Sequence, residues 1–484
     1  MKRATLFIAL LLVLAMTSAA FASVVDVPGA PLGTAGQGKY DGGARVIRVA
    51  GWYDRAYPYF SGMELEDLDG YFTSPESYEV RYGRLKEIEE KYNVRFEVVR
   101  TTFEGAQISI DEGILSGRPE ADIYEVDINF AMTYALNEYV YALDDITLPD
   151  DDVFTTQQIF QGLKFPSQDK TYMWQDYVES ATVYMLGFNW TLLQSKGLEN
   201  PQDLWDRGEW TWNVFLDYCA KLTDLTANPP VYGFTGFWTN HLNGFLRSNG
   251  AQIAATPEGG LMSAATGEAL DLFKQMYQDL KIARPWNTED WASNNYYSDG
   301  SAAFFTAANW ILNDSGSAGS GGGMDHPLNF EIGVVPYPVG PSGNQETNTH
   351  NTVNGNYYVI PKGVEDPALV YAAWRDLTNW YGGDFENTKQ YDVLDPDDLP
   401  LTWNDEILIT CAHGDEVLAE NNIRLNHMMA RSVSFDPWES MTSLAASDTQ
   451  NFGLSDIMTG DMTPAQFQET FKQPMENALK TVYK

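Results

Sequence analysis

The sequence predicts an α/β protein built on open sheets, and three observations carry that expectation. Short apolar or alternating runs recur along the chain. Amphipathic stretches with a three-and-four spacing separate them. Polar and aromatic residues gather just past the ends of the runs. With 484 residues, at about 150 per domain, the chain has room for two or three domains. Its 44% hydrophobic content fits a globular protein rather than a disordered one.

Residues 1–22 read as a signal peptide. Lys2 and Arg3 precede an apolar run from Thr5 to Met16, which is too short to span a bilayer. Ala20-Phe21-Ala22 is a small-x-small cleavage site, so cutting is expected near Ala22. No Cys follows it to take a lipid anchor, and no later stretch is apolar enough for a membrane span. Residues 23–45, rich in Gly, Pro and Ala, read as a flexible leader.

The first strand is expected from Val46 to Ala50. Tyr82, Leu85, Ile88 and Tyr92 then mark a helix from Tyr78 to Tyr92, and a second strand follows from Val94 to Val99. This β-α-β order predicts parallel pairing with a right-handed crossover. Gly113 to Pro119 leads into a strand from Ala121 to Val126, and Phe130 to Tyr141 is helical by pattern. Further strands are expected at 182–188, 231–237, 330–336 and 357–360, and helices at 210–222, 270–280 and 368–381. Thr463 caps a last helix with Pro464 at its first position, and Pro474 is expected to kink it. Ser315 to Gly323 is a Gly/Ser-rich loop. The whole suggests mostly parallel sheets, in which ligands bind beyond the carboxyl ends of the strands.

The formal net charge is −37, and −39 once Lys2 and Arg3 leave with the signal segment. That argues against nucleic acid and anionic membranes as partners. It suits a soluble protein handling a neutral ligand, although simple solubility explains it as well. The two cysteines, Cys219 and Cys411, lie far apart in sequence, and two buried thiols are the favoured reading over a disulfide.

Aromatic residues cluster where a strand-end crevice should lie. Trp52 follows the first strand beside Asp54. Asp127 and Asn129 follow the strand ending at Val126. Trp174 precedes Gln175 and Asp176, Trp238 precedes Asn240, and Trp310 follows Asn309. A Trp is more often core than platform, and each pair alone is weak. Together they suit a sugar, whose apolar face stacks on an aromatic ring while Asp, Asn and Gln take the hydroxyls. Catalytic motifs are lacking. The five histidines have no metal-ligand spacing, and there is no Gly-x-Ser-x-Gly elbow or Walker loop. Glu66 to Gly70 lacks the later ligands of a calcium loop. No catalytic residue, metal or cofactor is expected.

Several stretches in order resemble the family 1 extracellular solute-binding proteins, the sugar receptors of ABC importers. They are "GILSGRPEADIYEVD", "YVYALDDI", "GFNWTLLQSKGLENPQDLWDRGEWTWNVFLDYCAKLT", "YSDGSAAFFTAANW" and "FEIGVVPYPVGPSG". The similarity runs from about Val46 to the C-terminus. Asn213 departs from it, since an acid usually follows Trp-Thr-Trp. The resemblance implies a two-lobed periplasmic-binding-protein-like α/β fold with a hinge and an interlobe ligand cleft. Lobe one would take 46–180 and 357–428, and lobe two 181–356 and 429–484, with crossings near 178–182, 354–359 and 426–434. By motif position, Trp52, Asp54, Asp127 and Asn129 would face the cleft from lobe one, and Trp238, Asn309, Trp310 and Trp438 from lobe two. Trp174 and Tyr358 would sit near the hinge.

The implied protein is a monomer, free in the periplasm or secreted. It binds a neutral sugar or oligosaccharide and delivers it to an ABC transporter permease. The alternative is an exported carbohydrate-active enzyme using a carboxylate pair, which 67 acidic residues leave open.

Overall fold

The computed structural model describes residues 44–51, 85–149, 151–155, 161–175, 183–236, 238–287, 296–313, 328–348, 350–352, 356–378, 403–438 and 454–483. The expected signal peptide, the leader up to residue 43 and the first aromatic cluster, including Trp52 and Asp54, lie outside these residues. The described residues fall into two compact units. One takes in 44–51, 85–125 and 360–378; the other takes in the described residues of 126–359 and 403–483.

In the first unit, β1 (Arg45–Gly51) pairs in parallel with β2 (Val94–Arg100), from Arg45↔Val94 to Gly51↔Arg100. On its other side β1 pairs in parallel with β3 (Ile123–Asp127), at Val49↔Ile123. β1 is central, and Val46, Ile47, Val49 and Ala50 are all buried. Arg48 breaks the apolar run and faces Glu97 of β2 at 3.6 Å. Residues 85–92 are helical, with Leu85 and Ile88 buried as their spacing predicts. A further helix, Phe103–Ser116, was not evident from pattern. Thr102 caps it by accepting from the Gly105 N–H at 3.0 Å, and Gly117 ends it at φ +66°. Gly113, expected in a lead-in to β3, lies inside this helix. A Cβ there would meet the Pro119 Cα at 2.7 Å, so the close return of the chain requires glycine.

Helix Pro367–Thr378 completes the unit. Its Trp374 ring lies 5.9 Å from that of Phe96 on β2. Its Asp376 accepts from the Tyr92 hydroxyl at 2.6 Å and pairs with Lys91 at 2.5 Å. Asp122, in the resembling segment, accepts from the Arg48 N–H at 2.8 Å and from the buried guanidinium of Arg45. It ties the strand ends rather than reaching a ligand.

In the second unit, β4 (Gln161–Leu163) pairs antiparallel with β5 (Met173–Gln175). A four-stranded sheet is formed by β6 (Met185–Asn189), β7 (Tyr232–Thr235), β8 (Ala302–Ala307) and β9 (Ile332–Val335), in the order β7-β8-β6-β9. β10 (Asn351–Thr352) pairs in parallel with β12 (Val433–Ser434), and β11 (Asn356–Val359) pairs antiparallel with β5. The expectation of mostly parallel sheets is therefore corrected. β7 and β8 are parallel, but β6 runs against both β8 and β9.

The core of this sheet is aromatic. Phe215 lies 6.0 Å from Phe234 and 5.3 Å from Phe304, centroid to centroid, and the buried Trp210 donates its indole N–H to the Pro336 carbonyl at 3.1 Å. Helix Trp238–Ser248 approaches this core through Gly244, where a Cβ would overlap the Tyr337 ring. Cys219 and Cys411 are free and buried. The last helix, Pro464–Val482, begins with the predicted Thr463 and Pro464, and Gln466 completes a capping box. Pro474, the expected site of a kink, lies inside this helix, which runs on to Val482. Among the described residues no helix is long and apolar enough to cross a membrane.

Candidate functional site

The sheet of the second unit sets the geometry. Because β7 and β8 are parallel neighbours, with Thr235↔Phe305, both end at one edge. Helix Trp238–Ser248 begins three residues after β7, and helix Asn309–Asn313 begins two residues after β8. Trp238, Asn309 and Trp310 thus occupy the first turns of two helices at one strand-end edge. That is the position where open α/β sheets take ligands. Asn309 is partly exposed.

Asp127 ends β3 and is also partly exposed; Asn129 follows it in the first turn of helix Ile128–Leu136. Burial pushes the Tyr357 phenol up, and the Asp127 charge adds to the effect. Asp127 is therefore felt at β11 of the same unit.

Trp174 and Tyr358 meet across β5 and β11. They are directly paired in register, with ring centroids 5.7 Å apart at 40°. The Gln175 side-chain amide donates to the Asn356 carbonyl at 3.1 Å. Trp174 is 1% exposed and Tyr358 7%. The two rings pack against each other and are buried, so neither is an open platform.

Trp438 departs further from expectation. It is 1% exposed, and its indole N–H donates to Asn243 Oδ1 at 3.2 Å. Asn243 Oδ1 also accepts from Arg247 Nε at 3.3 Å. Arg247 pairs with Asp436 at 3.0 Å, and Asp436 accepts the Ile253 and Ala254 N–H groups at 2.9 and 2.6 Å. A ring so enclosed has no face to offer; Trp438 belongs to a buried network that anchors helix Trp238–Ser248.

Sequence reasoning missed Asn243 and Asp436. Their signal was the Asn243/Arg247 spacing of four, one helical turn apart, on a stretch too polar to read as a helix. Arg247 brings a positive charge to the last turn of this helix. At 3% exposure it is already matched by Asp436, itself 1% exposed. Among the described residues no group of three or more His, Cys, Asp or Glu is placed to hold a metal ion.

The sequence profile of the bacterial extracellular solute-binding proteins matches residues 83–394, and the chain belongs to that family. No curated protein sequence matches it. Solved structures share its fold at low sequence identity. The GacH receptor of Streptomyces glaucescens, solved unliganded and with acarbose, has 14% identity and a TM-score of 0.58, over 90% of this chain and 99% of that one. An ABC substrate-binding protein from Listeria monocytogenes, solved with cycloalternan, has 18% identity and a TM-score of 0.56 over the same shares. The maltose/maltodextrin-binding domain from Bdellovibrio bacteriovorus, bound to maltotriose, has 14% identity and a TM-score of 0.54, over 90% of this chain and all of that one.

Proposed function

We propose that this protein is an exported receptor that captures a neutral sugar or oligosaccharide and delivers it to an ABC transporter permease. It would act as a free monomer in the periplasm or outside the cell. The observation that carries the reading is the placement of Trp238, Asn309 and Trp310 at one carboxyl edge of a sheet, in a chain of the solute-binding family. Aromatic faces beside amide groups suit a polyhydroxylated ring. The sugar ligands of the fold's relatives support the same class. Neutrality is supported by the net charge of −37 and by Arg247, whose charge is spent on Asp436. Asp127, Asn129 and, beyond the described residues, Trp52 and Asp54 are the further proposed contacts. No observation favours the enzyme alternative.

A thermal-shift panel of neutral mono- and oligosaccharides tests this. A ligand that binds only the folded protein raises the midpoint, and it should be recovered chemically intact after long incubation. No shift with any sugar would refute the sugar reading. Release of shorter products would refute the receptor role.

A further inference from the structure

The four-stranded sheet of the second unit ends at β9, which has β6 as its only strand neighbour among the described residues. The sequence of β9, Ile-Gly-Val-Val, carries no charge to discourage further pairing. An apolar edge strand with open backbone groups is a template for another chain. The outward groups of β9 are nevertheless taken, and by side chains. The Val334 N–H donates to Asn422 Oδ1 at 2.8 Å, and Asn422 Nδ2 donates to the Ile332 carbonyl at 3.1 Å. Gln202 Nε2 donates to the Val334 carbonyl at 2.9 Å and to Asn422 Oδ1 at 2.9 Å. Two residues on, the Pro336 carbonyl accepts from the Trp210 indole.

The position of Asn422 singles out these bonds. Helix Glu416–Arg431 buries Leu418, Leu425 and Met429, and Asn422 stands on the same stripe, four residues after Leu418 and three before Leu425. A leucine would suit that pattern. Asn422 and Gln202 are both fully buried, and a buried amide costs free energy unless its polar atoms are matched. Here they are matched on β9. One carboxamide presents a C=O and an NH2, the same kinds of group that a neighbouring strand's backbone would bring. The helices that carry the two amides are also tied at the surface, where Arg424 holds both Asp206 carboxylate oxygens at 3.1 and 2.9 Å.

We propose that Asn422, assisted by Gln202, seals the edge of this sheet in place of a further strand, and so keeps β9 from pairing with a second copy of this chain. The inference is independent of the sugar reading and gives the proposed monomer a physical basis.

N422L and Q202M variants of the full chain test it. Sedimentation velocity over a concentration series reads association, and hydrogen exchange reads the Val334 amide against the Phe188 amide of β6. N422L keeps an apolar stripe of similar volume and loses the amide. Leaving the Val334 N–H without its acceptor should speed its exchange at least about tenfold relative to Phe188. N422L should also self-associate at least about tenfold more strongly than the wild type, the same cost being relieved by a partner strand. Q202M removes the donor to the Val334 carbonyl. It should act in the same direction to a smaller extent, and it decides the matter if N422L does not fold.

An N422L protein as monomeric as the wild type, with unchanged relative exchange, would make Asn422 a replaceable packing residue and overturn the proposal. Faster Val334 exchange without association would overturn it too, since the amide would then steady the edge without guarding it against a second copy.

Discussion

Replacing Asp436 by Asn should destabilise the second unit by about 3–5 kcal/mol, the usual cost of leaving one member of a buried ion pair without its partner. The size follows from enclosure. Arg247 and Asp436 are 3% and 1% exposed and 3.0 Å apart, so neither charge can recover its hydration when the other is removed. Asn keeps one oxygen for the Ile253 and Ala254 N–H groups, which otherwise add their own penalty. The exposed pair Arg424–Asp206, with side chains 48% and 46% accessible, provides the contrast; Arg424→Ala should cost no more than about 1 kcal/mol. Urea unfolding, followed by tryptophan fluorescence and far-UV circular dichroism together, measures both, provided the two signals coincide. The decisive comparison is a cycle of Arg247→Met, Asp436→Asn and the double variant. The double should lose less than the sum of the singles by about 2 kcal/mol or more. Additivity within about 0.5 kcal/mol would show that the two groups do not depend on each other, and the reasoning would fail.

Trp238→Ala should weaken binding of the best sugar by about 1–3 kcal/mol with little change in the unliganded midpoint; a large loss of stability with normal affinity would place that ring in the core. Sugar affinity should hardly change with ionic strength, since screening acts on charged partners, and a steep fall at high salt would point to a charged ligand. The His350 ring lies 5.2 Å from that of Trp205, and burial lowers its pKa to about 4. The unfolded chain takes this proton near pH 6.5, so the contribution is complete above that pH and is lost as pH falls toward 4. The loss is at most about 3 kcal/mol. His350→Gln should flatten the dependence of the urea midpoint on pH across that window, and an unchanged slope would count against it.

The sequence made some features legible and hid others for identifiable reasons. β1, β2 and β3 were readable because apolar residues recur at short intervals along them, broken only by single polar residues such as Arg48, Arg95 and Glu97. β6 was found, but its direction was not, because an apolar run such as Met185 to Phe188 reads the same whichever way it lies in a sheet. Helix Phe103–Ser116 carries two internal glycines and β-branched isoleucines, which weaken its pattern. Helix Trp238–Ser248 is polar enough to pass for a loop. For the site, the order of motifs identified the family and placed Trp238, Asn309 and Trp310 past strand ends. It gave no sign that Trp174 and Trp438 are buried. A tryptophan beside a polar residue looks alike in sequence whether its neighbours in space leave it open or, as Asn243 does for Trp438, tie it down.

The first unit draws on residues that are distant in the chain. Tyr92 and Phe96 are among its early elements, yet Asp376 and Trp374, which they contact, arrive more than 270 residues later. During synthesis the sheet of β1, β2 and β3 therefore waits, without its covering helix, while the whole of the intervening segment is made. The first unit of a nascent chain therefore cannot complete its packing until residues 367–378 have been made. Tethering residue 92 to residue 376 thus makes late closure of this unit a property of the chain itself.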